Sequence, residues 1–163
     1  MGQDHQPASR GVIRLGNVLF GADRIVAKWV SQRIPGFTAS MGATAIGILD
    51  GDDLVAGVVY ERYNGVHVEA SIAALPGRNW ASRRALHAIF HYPFVQLGCE
   101  AISVLVPSSN LESLNLATKL GFRPEAMVSF AAADGSTLIV LKQFRAECRW
   151  IDHGQGQQGT GSA

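Results

Sequence analysis

Residues 101–122, AISVLVPSSNLESLNLATKLGF, limit the fold of this chain more tightly than any other stretch. Ile102, Val104 and Val106 alternate with Ser103 and Leu105, the period of a strand covered on at least one face. A polar turn follows, in which Ser109 or Asn110 can cap a helix with Glu112 or Ser113 in its first turn. Leu111, Leu114 and Leu120 form most of the helix's apolar stripe with Ala117 between them, and Lys119 lies near its negative end. Gly121 supplies a left-handed stop before Phe122. A strand feeding a capped amphipathic helix implies a sheet with at least one covered face.

The chain's 163 residues suffice for one domain with a real core. Its 47% hydrophobic and 17% charged residues describe a folded protein, which excludes an extended charged chain. A net charge of +1 provides no global field for nucleic acid or an anionic membrane. Cys99 and Cys148 fit neither a metal spacing nor a disulfide framework, and reduced thiols place the protein in the cytoplasm. The opening MGQDHQPASR lacks a signal-peptide core, and Gln6 stands where a myristoylation signal needs Ser or Thr. No apolar run approaches the length of a membrane span.

Along the chain, strands alternate with helices. Residues 1–10 read as disordered, 11–150 as one domain, and 151–163 as a flexible low-complexity tail. Val12–Leu15 is a short strand, and Ala22–Arg33 a helix with Ile25, Val26, Trp29 and Val30 on one stripe. Residues 44–50 and 54–60 form a hairpin across Gly51-Asp52-Asp53. Val66–Ala74 is the next strand, and residues 79–91 a helix ended by Tyr92-Pro93. After the 101–121 unit come strands at about 124–132 and 137–145, joined by Ala133-Asp134-Gly135-Ser136. The order β-α-β-β-β-α-β-α-β-β predicts an α/β fold, a central mixed sheet flanked by helices.

In the Asn110-x-x-Ser113 … Gly121-Phe122 pattern, and in element order over roughly residues 11–146, the chain resembles the GNAT superfamily of acyl-CoA-dependent N-acyltransferases. It has one helix where the family often has two between its first strands. The resemblance implies acetyl-CoA as co-substrate and an amine as acceptor, whether small molecule, protein or DNA base, with a homodimer as a further expectation. It implies that Asn110 and Ser113 help hold the pantetheine arm or nearby phosphates, and Asn110 can cap its helix as well. It also assigns the oxyanion donor to a splayed strand at Ile72, Ala73, Ala74 and Leu75.

A pyrophosphate needs a helix N-terminus reached by a loop of little bulk. The matching loop is Arg78-Asn79-Trp80-Ala81-Ser82-Arg83, which keeps the family's leading arginine and one small residue but neither glycine. Arg78, Arg83 and Arg84 either bind phosphate or are solvated residues at the helix start. Cations at a helix N-terminus are unfavourable unless an anion answers them, which favours binding. Ala117 stands where many family members place a tyrosine acid for the departing thiolate.

For a base, His67, Glu69 and Ser71 share one strand face, with Glu61 and Tyr60 ending the preceding strand. Their other reading is a solvated face or a cross-strand pair. Tyr63 and Tyr92 read as packing residues or cleft walls, and His87 and His91 as packing or surface histidines without a third metal ligand. Asn79-Trp80-Ala81-Ser82-Arg83, Tyr92-Pro93-Phe94 and the closing Glu-Cys-Arg-Trp also resemble short GNAT proteins of phage and prophage genomes. One related branch modifies adenine in DNA, so two other functions stand beside the acetyltransferase: a DNA-base modifier, and a non-catalytic acyl-CoA-binding or interaction protein.

Overall fold

The computed structural model describes residues 11–154. The expectations for residues 1–10 and for 155–163 of the tail lie outside the described residues. Eight strands form one sheet: β1 (Ile13–Leu15), β2 (Val18–Phe20), β3 (Thr44–Asp50), β4 (Asp53–Glu61), β5 (His67–Ala74), β6 (Ala101–Pro107), β7 (Arg123–Val128) and β8 (Leu138–Phe144). Their spatial order is β1-β2-β3-β4-β5-β6-β8-β7, antiparallel throughout except for the parallel pair β5–β6. Three helices flank it: α1 (Asp23–Ser31), α2 (Arg83–His91) and α3 (Leu111–Leu120). This is the mixed α/β architecture expected from the sequence.

The N-terminal part differs from that expectation. In place of one strand at Val12–Leu15, the chain reverses at Gly16-Asn17 into a second strand, Val18–Phe20. Gly16 has φ +59°, the left-handed conformation needed at the first position of a tight hairpin turn. The Gly-Asn pair was the signal, but two three-residue strands are too short for their alternation to register.

Helix α1 covers one face. Val26 and Val30 are fully buried against β3 and β4, where Gly47 and Gly57 stand opposite each other and let the helix approach closely. Asp23 ties the helix start to the sheet, its Oδ1 accepting from the Ala45 N–H at 2.9 Å. Helices α2 and α3 share the other face. There Ile46, Ile48, Val58, Val68 and Ile102 pack under Leu86, Ile89, Phe90 and Leu120, with Phe90 against Phe122 and Trp150.

Helix α2 begins four residues later than predicted. Ser82 is extended (φ −65°, ψ 157°) and its Oγ accepts from the Ala85 N–H, while the preceding loop is anchored by the buried Trp80. The α-helix ends at His91 as expected, but the chain does not leave the helical path at Tyr92-Pro93. It widens into a π turn over Tyr92–Gln96, closed by Leu97 N–H donating to Tyr92 O at 2.9 Å, and the Ile89 carbonyl that Pro93 has no N–H to meet accepts from the Tyr60 hydroxyl instead. Strand β7 stops at Val128, short of the expected 132, because Phe130 turns to φ +57° and Ala132–Ser136 close a hydrogen-bonded loop. At α3 the expected cap and stop both form: Asn110 Oδ1 accepts from the Ser113 N–H at 3.1 Å, and Gly121 adopts φ +105°.

The contact of α1 with β4 is tight enough to test. A Cβ on Gly57 would lie 2.8 Å from Val30 and 2.9 Å from Val26, both rigid at χ1. Gly57→Ala should therefore destabilise the protein by about 1–3 kcal/mol. An unchanged urea midpoint would mean that α1 packs elsewhere.

Candidate active site

The parallel pairing of β5 with β6 covers only His67↔Ala101, Val68↔Ile102 and Glu69↔Ser103. Beyond it the two strands part, while β5 stays paired to β4 as far as Ala74 and β6 to β8 as far as Pro107. Leu75 N–H donates to Val55 O, which makes Leu75 and every second residue before it face β4. Ala70, Ile72 and Ala74 therefore aim their backbone groups toward β6, and the N–H groups of Ile72 and Ala74 lie beyond the paired segment. By the same alternation, Ser108 N–H donating to Thr137 O turns Leu105 toward β5. The result is a wedge with backbone donors and acceptors along both inner edges. Ala73 lines it toward α1, and Ile72 toward α2.

The wedge opens at the carboxyl ends of two parallel strands, where α2 and α3 begin, the position at which open α/β sheets bind ligands. At α2, Ser82 takes the Ala85 N–H, leaving those of Arg83 and Arg84 without an intrahelical acceptor. Asn79, Ala81 and Arg83 are exposed. Arg78, in contrast, is directed away: it pairs with Asp50 at 2.9 Å and Asp53 at 3.7 Å, fastening the loop to the β3–β4 hairpin. Arg84 rests against Gly16 in the β1–β2 turn. At α3, the loop carrying Asn110 is fixed by Ser109 Oγ donating to Asp134 at 2.5 Å. Hydrogen bonds from Ser109 and Ser136 hold the Asp134 carboxyl down at about 2.

His67, Glu69 and Ser71 do share one face of β5, the face on which α1 lies, but α1 covers chiefly β3 and β4 and leaves these three half-exposed. Asn64 Oδ1 accepts from the N–H groups of Val66 and His67 and sets the start of the strand. His67 Nε2 shares a 2.5 Å hydrogen bond with Ser103 Oγ on β6. Desolvation lowers the His67 pKa from its ordinary 6.5, aided by Lys142 and opposed by Glu69 and Glu125. Glu69 accepts from Arg62 at 2.7 Å. Register places Glu61, Glu69, Ser103 and Lys142 in one row across four strands.

Three of the other candidates are otherwise engaged. Glu61 accepts from Ser40 N–H and Oγ and pins the α1–β3 loop. Tyr60 lies on the opposite face, buried, donating to Ile89 O at 2.6 Å, and burial pushes its phenol well above the ordinary range. Tyr63 donates to Leu97 O. Ser103 and Lys142 were not singled out from the sequence, and Arg62 reads there only as a possible neighbour of the Arg78, Arg83 and Arg84 cluster, not as the partner of Glu69. Ser103 carried a signal, a lone polar residue in an otherwise apolar strand, whereas Arg62 and Lys142 acquire their places only through sheet register.

The His67 environment has a testable titration. The folded state favours neutral imidazole, so this residue's contribution to stability is complete above 6.5 and is lost as pH falls through the lowered folded value. NMR titration should give a midpoint below 6.5; Lys142→Gln should raise it and Glu69→Gln lower it further. A midpoint above 6.5 would contradict the half-buried placement.

No protein-family model matches the sequence, and no curated protein matches it. Solved structures do. A GNAT-family acetyltransferase from Bacillus anthracis superimposes with a TM-score of 0.60 at 17% identity, over 84% of this chain and all of that one. Mutant forms of the spermidine/spermine N-acetyltransferase SpeG from Vibrio cholerae align with a TM-score of 0.56 at 18% identity, over 64% of this chain and 68% of theirs. A dodecameric form of that spermidine N-acetyltransferase gives 0.55 at 18% identity, over 66% of this chain and 67% of its own. These superpositions, together with the element order, show that the chain has the fold of the GNAT acetyltransferases.

Proposed function

We propose that the protein is an N-acetyltransferase that takes acetyl-CoA in the wedge between β5 and β6. The acceptor is an amine presented over His67, Glu69 and Ser71. The observation that carries this reading is the wedge itself, with the Ile72 and Ala74 N–H groups turned into it and two helix N-termini at its mouth. In the proposal Ile72, Ala73, Ala74 and Leu75 hold the pantetheine arm and the thioester. Asn79, Trp80, Ala81, Ser82 and Arg83 form the diphosphate loop, and Asn110 and Ser113 border the arm from α3. Arg78 has a supporting part only, since its charge is met by Asp50 and Asp53.

The chemistry asks little of the side chains. His67, kept neutral by its lowered pKa, accepts the ammonium proton through water along the strand face, and Ser71 and Glu69, which lie between it and the thioester, orient the amine. The amine nitrogen then bonds to the thioester carbon. A backbone N–H of Ile72 or Ala74 receives the developing oxyanion, and the carbon–sulfur bond breaks as the amide forms. Ala117 offers no proton to the leaving thiolate, which leaves water or the amine's second proton to neutralise it.

A second reading has its own support. The buried Ala117 in place of an acid, and a diphosphate loop without glycine, suit an acyl-CoA-binding protein that does not transfer. Thermal denaturation with acetyl-CoA, followed by thioester consumption over a panel of amines, distinguishes the two. At about a hundredfold its dissociation constant, acetyl-CoA should add about 2.7 kcal/mol of stability. Arg83→Glu should reduce that gain, and turnover should fall about 10²–10⁴-fold in His67→Gln. The acid limb of kcat/KM should lie below pH 6.5, because the base stays neutral down to its lowered pKa. Binding without turnover on any amine selects the second reading, and no binding at millimolar ligand rejects both.

A further inference from the structure

A groove separate from the wedge lies between the β1–β2 hairpin and α2. It holds about 360 Å³, within the range of small-molecule sites. Its apolar surface comes from Leu15, Val18, Phe20 and Ala88. Its other wall is cationic or proton-accepting: Arg84, His87 and His91 follow one another at the i, i+3, i+7 spacing of a single helix stripe. The two imidazoles are neighbours, tilted 32° to each other with centroids 5.1 Å apart, and Arg84 reaches across to the Gly16 turn. No carboxylate lines the groove, and among the described residues none of the three forms an ion pair. At its far end the helix widens into the π turn, a distortion frequent at functional sites, which brings Tyr92 to the same groove.

An apolar trough beside a row of unanswered nitrogen donors is complementary to an anion on an aliphatic body. We propose that this groove binds a small amphipathic anion, a medium-length alkyl carboxylate or alkyl phosphate. The head group lies against Arg84, His87 and His91, and the chain lies over Val18, Phe20 and Ala88. Arg84 supplies a planar fork suited to either head group, and the imidazoles add donors along the same line. The site does not depend on the acetyltransferase reading, because it shares no side chain with the wedge.

The test is calorimetric titration of the full chain with octanoate and with octyl phosphate, using octanol and octyltrimethylammonium as uncharged and cationic controls. One or both anions should bind at least about tenfold more tightly than octanol, the difference expected for charge-assisted hydrogen bonds. The stronger of the two identifies the carboxylate or the phosphate as the natural head group. The triple variant Arg84→Gln, His87→Gln, His91→Gln should lose that preference while octanol binding is unchanged. Ala88→Trp should fill the trough and abolish binding of the anions. If Ala88→Trp fails to fold by circular dichroism, the glutamine variant still decides. Saturating CoA should leave the affinity unaltered. Equal binding of octanol, retention of anion preference in the glutamine variant, competition by CoA, or no binding at millimolar anion would each overturn the proposal.

Discussion

The parting of β5 from β6 after three residue pairs is the constraint on which the site depends. Each strand is held on its outer side by a long antiparallel ladder, β5 to β4 through six pairs and β6 to β8 through seven. The sheet is thus two antiparallel blocks joined by a short parallel hinge. Strand twist rotates neighbouring strands against each other, and a junction this short lets the blocks diverge. The divergence leaves Ile72, Ala74 and Leu105 with backbone groups that no strand satisfies. These residues are half-buried or exposed, so their free donors and acceptors are open to a ligand that enters the wedge.

The division of the faces follows from side-chain size. Gly47 and Gly57, opposite each other on β3 and β4, create a shallow trough into which Val26 and Val30 settle, and this draws α1 over the N-terminal block. The same face over the end of β4 and over β5, β6 and β8 is left with polar residues in register, from Glu61 through Glu69 and Ser103 to Lys142. On the opposite face α2 and α3 share one aromatic and aliphatic core, centred on Phe90. The crossover helix therefore does two things. It joins the core of that face with Leu86 and Ile89, and with its far flank it forms the groove against the β1–β2 hairpin.

Much of this was legible residue by residue. The β3–β4 hairpin, the strand at 101–107, the Asn110 cap, the Gly121 stop and the common face of His67, Glu69 and Ser71 all form as read. What the reading missed or misplaced has a common character. Arg78 looked like a phosphate ligand from its place in the loop, but two aspartates of a hairpin some 25 residues earlier claim it. The start of α2 moved to Arg83 because burying Trp80 holds the preceding loop extended, a demand of the core and not of helix propensity. Ser103 became His67's partner only when two strands 36 residues apart came into register.

The sequence by itself determined the local elements and their order, because caps, turns and the periods of strand and helix are set by hydrogen bonds and side-chain spacing over a few neighbouring residues. It determined the α/β class for the same reason. The tertiary structure alone decided how far β5 and β6 pair, which charges find partners, and where the N-terminal hairpin rests on α2. Those outcomes depend on contacts between segments far apart in the chain. Their free energies are settled by the packing of the whole sheet and its helices, and no local pattern records them.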